Sequence, residues 1–178
     1  MPKSIEGTLA AGGRIVDDAW TYVDAREALD AAPGDAAVLA SLALWRTDRD
    51  ALTARQSPLG LQLPNDTDPA SIADDLHRFS LVAIEFPKFT DGRGYSIARL
   101  LRERHGYRGS LRAVGDVLRD QLFYMLRCGF DSFVMKHDDR IDDALVAFRD
   151  FSEGYQSSVE RPVPLFKRRY LEAGHGAA

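Results

Sequence analysis

Between Glu85 and Ser96 lie side chains suited to holding a negatively charged ligand. Lys88 and Arg93 stand either side of a short turn that contains Gly92, and Gly94 follows at once. Glycines let backbone amides come close to a ligand, and a helix that starts just after the loop presents unpaired N–H groups near Gly94, Tyr95 and Ser96. With Thr90, Asp91 and Ser96 beside the two cations, the stretch is a candidate oxyanion cradle. A second turn further on adds Arg112, Asp116, Asp120 and Gln121. Glu85 and Asp116 are the candidate acid–base groups, because a desolvated carboxyl titrates closer to neutrality and can then exchange protons. A structural alternative stands beside each assignment. Gly92 and Gly94 would serve positive φ angles, Asp91 would pair with Arg93, Ser96 would cap a helix, and Asp120 would favour the first turn of its own helix.

Other motifs narrow the chemistry. Gly92-Arg93-Gly94-Tyr95-Ser96-Ile97 has the first two glycines of a dinucleotide fingerprint but Ile97 in place of the third small residue. No phosphate-binding Gly-Lys-Ser/Thr loop occurs, and His77, His105, His137 and His175 lack a zinc spacing. Cys128 is the single cysteine, which excludes an internal disulfide and a thiolate cluster. Its place on an apolar helix reads as a packed, inert thiol. Phe86, Phe89, Phe123 and Tyr124 suit either ligand stacking or core packing. The expectation is a protein with no metal and no cofactor.

These residues need elements that bring them to one edge. Leu81-Val82-Ala83-Ile84 is a continuous apolar run, the pattern of a strand covered on both faces, and Ile97, Leu100 and Leu101 then repeat at helical spacing. The same sequence of strand, polar turn and amphipathic helix recurs. Leu59–Leu63 leads to a helix over 69–76 with Pro69 at its first position. Leu111–Val114 leads to a helix over 118–126 ended by Gly129, and Ser132–Met135 leads through His137-Asp138-Asp139 to a helix bearing Ile141, Leu145 and Phe148. Before these, 36–40 reads as a first core strand and 41–55 as a helix capped by Ser41. Arg99, Arg102, Glu103 and Arg104 fall on the outward side of theirs, with Gly106 as its stop. Arg14–Val23 reads as a hairpin turning at Asp17-Asp18.

Alternating strands and helices require crossovers and a mainly parallel sheet, so the class is α/β with repeated βα units. The even repetition and lack of a chain reversal favour part of a TIM-like barrel over a doubly wound open sheet. An incomplete barrel leaves an apolar inner face, which predicts a homo-oligomer or a plug formed by the hairpin or the tail. At 178 residues and 45% hydrophobic, the chain forms one domain. It divides into a peripheral hairpin (14–23), a βα core (36–153) and a tail (154–178), frayed from Gly174 on. A net charge of −4 gives no general attraction to nucleic acid or anionic membrane. No signal-peptide core or spanning run is present, so the expected location is the cytoplasm.

Several stretches together resemble a bacterial family of unknown function whose members are often labelled oxidoreductases of sulfite reduction. They are Phe86–Ser96, Leu100-Leu101-Arg102, Gly106-Tyr107-Arg108-Gly109, Leu111-Arg112-Ala113, Asp120-Gln121-Leu122 and Cys128-Gly129-Phe130-Asp131. Leu42-Ala43-Leu44-Trp45 and Arg49-Asp50-Ala51-Leu52 match its earlier half, so the likeness runs from about Arg14 to Tyr155. The resemblance implies a place in assimilatory sulfate reduction, with sulfite reductase as partner, but supplies no catalytic residues. The resulting expectation is an accessory protein of sulfite reduction. The alternative is a small α/β enzyme or binding protein for an anionic sulfur- or phosphate-containing metabolite, with Lys88 and Arg93 as its cations.

Overall fold

In the computed structural model, which describes residues 2–136, 141–149, 157–159 and 162–171, eight short strands join in one sheet. They are β1 (Lys3–Thr8), β2 (Gly12–Asp17), β3 (Thr21–Val23), β4 (Val38–Ser41), β5 (Leu59–Leu63), β6 (Leu81–Phe86), β7 (Ser110–Gly115) and β8 (Ser132–Phe133). Their order is β2-β1-β8-β7-β6-β5-β4-β3. From β3 to β8 every neighbour is parallel, and β1 and β2 extend the sheet antiparallel beyond β8. Each parallel strand is laid on the same side of the one before. A doubly wound sheet reverses that direction and takes helices on both faces; without a reversal, right-handed crossovers put the helices on one face and the sheet curls around the other. The result is a curled half barrel, the architecture expected from the repeats.

The alternation of side chains along each strand gives the two faces different jobs. Val82, Ile84 and Phe86, with Leu61, Leu111, Phe133 and Ile5, point outward into the main core. There they meet α2 (Leu42–Thr47), α3 (Arg49–Thr53), α4 (Arg93–Arg99), α5 (Leu122–Cys128) and a run of 3₁₀ turns over Pro69–Arg78. The concave face is less apolar. It carries a small cluster of Leu39, Leu81 and Ala83, against which Trp20 and Val114 pack.

Three local expectations are corrected. The hairpin is formed by β1 and β2, with Gly12 at φ +76 after its turn, and not by 14–23. Lys3–Thr8 supplies the partner that β2 needs, while β3 pairs in parallel with β4 at the opposite edge. β3 and α1 (Arg26–Ala31) form a βα unit before the first core strand, too short to show a period. Ser41 does cap α2, its Oγ accepting from Leu44 N–H at 3.1 Å, but the helix expected to reach 55 breaks at Asp48. The His137-Asp138-Asp139 turn and Gly174–Ala178 lie outside the described residues.

Only Asp18, Ala19 and Trp20 separate β2 from β3, the two opposite edges of the sheet. Four extended steps reach at most about 14 Å, so this connection crosses the concave side. A Cβ on Gly60 would lie 2.9 Å from the Trp20 ring and 3.0 Å from Leu39, so the glycine makes room for the indole against the sheet. Of the two plugs expected, the 14–23 segment or the tail, the first supplies it, through Asp18–Trp20. The described tail lies elsewhere: Val159 N–H donates to the Arg127 carbonyl at 3.1 Å, and the helix Leu165–Tyr170 buries none of its residues.

Candidate functional site at the strand-end rim

β6 delivers the chain to the rim at Phe86, where two turns are bonded to each other. Gly115 stands at φ +94, and a Cβ there would lie 2.5 Å from the Phe86 carbonyl oxygen, so the end of β7 can close on β6 only as glycine. Asp116 N–H then donates to that carbonyl at 2.7 Å. The Asp116 carboxylate accepts from Phe89 N–H at 3.1 Å and pairs with Lys136 Nζ at 2.8 Å. Gln121 holds the same loop from the other side, donating through Nε2 to the Phe89 carbonyl at 2.8 Å and accepting from Leu118 N–H at 3.1 Å. Both backbone groups of Phe89 are therefore fixed by side chains of the β7–α5 turn. The residue is nevertheless 54% exposed.

The expected oxyanion cradle is occupied by the chain itself. Asp91 accepts from Arg93 Nη2 at 2.6 Å, from its Nε at 3.0 Å and from its backbone N–H at 3.2 Å. Those bonds hold the Asp91 carboxyl far below the usual carboxylate range and raise the Arg93 guanidinium above its own. A second N–H of this first turn, that of Tyr95, goes to the Gly92 carbonyl at 3.2 Å. Neither Gly92 nor Gly94 has a positive φ. Gly94 is small for a different reason, since a Cβ would lie 2.6 Å from the Phe86 ring. Ser96 is exposed inside α4 and caps nothing, whereas Asp120 does stand in the first turn of its helical segment. Lys88, Thr90 and Ser96 are exposed, and their side chains make no hydrogen bond or ion pair among the described residues.

The remaining candidates lie on the concave face. Glu85 is half-buried there, and its charge, after burial and Asp24, helps raise the Tyr22 phenol above its ordinary value. Arg112 is buried in the middle of that face and bonds Ser132 and Asp18. The candidates thus divide between a bonded rim and a buried cation. Cys128 is buried, and burial pushes its thiol up, which removes it as a nucleophile. Among the described residues no three His, Cys, Asp or Glu converge as metal ligands.

Arg102 was expected on the outward side, but it fastens the opposite end of the half barrel. Its guanidinium donates to the carbonyls of Gly129 (2.9 Å), Tyr107 (2.9 Å) and Gly109 (2.7 Å) and to Asp131 Oδ2 (2.8 Å). The helix widens at Leu100–Arg104, where His105 N–H reaches the Leu100 carbonyl at 3.0 Å, five residues back. Asp131 also accepts from Ser110 Oγ and Leu111 N–H. Several stretches that carried the family resemblance therefore meet at one structural clamp. Asp18, Trp20, Ser4 and Ser132 were missed altogether, because nothing in their spacing marks them as neighbours of Arg112.

The molecule is, in class, a mainly parallel βα half barrel with a self-bonded loop rim and a crossed concave face. Residues 60–166 match the family described as "Bacterial protein of unknown function (DUF934)", and the chain belongs to that family. The match begins within β5 and includes the rim, the Arg102 clamp and Arg112. No curated protein and no solved structure matches the chain. Among the described residues no helix is long and apolar enough to cross a membrane.

Proposed function

We propose that this protein is a partner-contact protein of assimilatory sulfite reduction that acts on sulfite reductase and carries out no redox step itself. The pathway and the partner rest on the resemblance of the rim and clamp motifs to the family. The mode of action rests on one observation: Phe89 is held at both its N–H and its carbonyl while its ring stays in solvent. A loop fixed only for the fold gains nothing by exposing an aromatic ring, whereas a pre-ordered exposed aromatic loses little entropy on binding and is a common anchor of interfaces. Tyr124, one helical turn beyond Gln121, is also half-exposed and packs edge-on to Tyr95 at 5.0 Å. Lys88 and Thr90 flank Phe89 as polar rim.

The alternative, an enzyme using Glu85 and Asp116 for proton transfer, is the weaker reading because Asp116 is already committed to Phe89 and Lys136. Binding to immobilised sulfite reductase tests the contact surface. Phe89→Ala should weaken binding at least tenfold with an unchanged melting temperature, and Lys88→Ala should weaken it less. If the wild-type protein does not bind, or binds as well after Phe89→Ala and Tyr124→Ala, the proposal fails.

A further inference from the structure

The interior of a barrel is ordinarily filled by branched apolar side chains. Here, strand register places Ser41, Gln62, Ala83, Arg112, Ser132, Glu6 and Arg14 in one row across the concave face. Arg112 sits at the middle of that row with 2% of its surface exposed. A guanidinium so placed needs an anion. Its Nη1 donates to Asp18 Oδ1 at 2.9 Å and its Nε to Ser132 Oγ at 2.9 Å. Those bonds use two of its five donor hydrogens, and the Arg112 side chain makes no further hydrogen bond among the described residues.

Two features set this pair apart from an ordinary structural ion pair. Ser4 is fully buried, and its Oγ has no hydrogen-bond partner. It faces the concave side, because its neighbour Ile5 pairs with Phe133 and points into the main core. Asp18 is tied to the chain two residues before Ser4, its N–H donating to the carbonyl of Pro2 at 2.8 Å. A hydroxyl buried without a partner costs stability unless something fills its bond. Second, the anion comes from a three-residue connection where both neighbours of Asp18, Asp17 at the end of β2 and Ala19, are exposed, and it meets Arg112 through a single oxygen although guanidinium favours a two-point contact.

We propose that Arg112, Ser132 and Ser4 form a small-oxyanion subsite on the concave face, held in this structure by the chain's own Asp18 carboxylate. A carboxylate, sulfate or phosphate group enters by displacing the Asp18–Trp20 connection, placing two oxygens on Arg112 and accepting from the hydroxyl of Ser4. The site is separate from the Phe89 surface and does not depend on the contact reading.

Trp20 provides the signal, because it stands two residues from Asp18 and leaves the sheet when the connection moves. Acetate, sulfate and phosphate are titrated separately at constant ionic strength against chloride, with tryptophan emission and melting temperature as readouts. Wild-type protein should show a saturable red shift with at least one of the three that chloride does not give. Trp20→Phe should abolish it. Asp18→Asn removes the internal competitor and should tighten that anion's binding at least tenfold, whereas adding Ser4→Ala to it should weaken binding again. The effective anion separates a carboxylate ligand from a tetrahedral one. If Asp18→Asn folds poorly, recovery of its circular dichroism by the same anions and not by chloride supports the site. The absence of any saturable, chloride-independent response in both wild type and Asp18→Asn overturns it.

Discussion

Arg93 and Asp91 read in the sequence as either a ligand grip or a turn lock, and their three-point contact makes the lock the dominant role. It carries a pH signature. The folded carboxyl of Asp91 is depressed, so its contribution to stability is complete above the unfolded value of about 4 and is lost as pH falls towards the folded value. The difference in denaturation midpoint between wild type and Asp91→Asn should be constant from pH 7 to about 5 and shrink below about 4. A difference that is unchanged down to pH 2, or absent at pH 7, would contradict the lock. Residue types were legible here because Asp91 and Arg93 are two positions apart. Arg102 was not, since its partners lie up to 29 positions away and a charged side chain on a helix defaults to solvent in any periodic reading. The same holds for Arg112, whose residue type was noticed but whose partner Asp18 lies 94 positions earlier.

For the elements, repeated apolar runs identified β5, β6, β7 and their helices, because strands covered on both faces are continuous in hydrophobicity. β3, three residues long, and β1, with Ser4 and Glu6 turned to the concave face, give no such run. Gly115 shows what spacing can miss in a turn. It was read only as part of a polar connection, yet its backbone angle and the closeness of the Phe86 carbonyl fix the distance between the two rim turns. Gly115→Ala should cost about 3 kcal/mol by combining a strained φ with a backbone clash. Gly92→Ala, at φ −82 with nothing nearer than Tyr95 at 3.8 Å, should change stability by no more than about 1 kcal/mol. Urea denaturation of the two variants checks the contrast, and equal effects would show that the rim does not depend on Gly115.

Across the whole molecule, the direction of winding was legible because no repeat broke the pattern, while the closure of the concave side was not. That closure joins the first strands of the chain to its last. β1 must wait for Ser132 and Phe133 before its inner edge has a partner, and Asp18 must wait for Arg112. Closing so long a loop costs entropy before any contact offsets it, and topologies dominated by distant pairings fold slowly. During synthesis the β1–β2 ribbon therefore emerges early and remains an unpaired edge, open to the wrong strand, until most of the chain has left the ribosome. Deleting residues 2–17 should leave the six parallel strands able to form, and the shortened chain should refold faster and unfold faster than the full chain in stopped-flow measurements. Equal refolding rates would mean that the ribbon docks after the rate-limiting step, and that the long delay between its synthesis and its pairing is spent without influence on the rest of the fold.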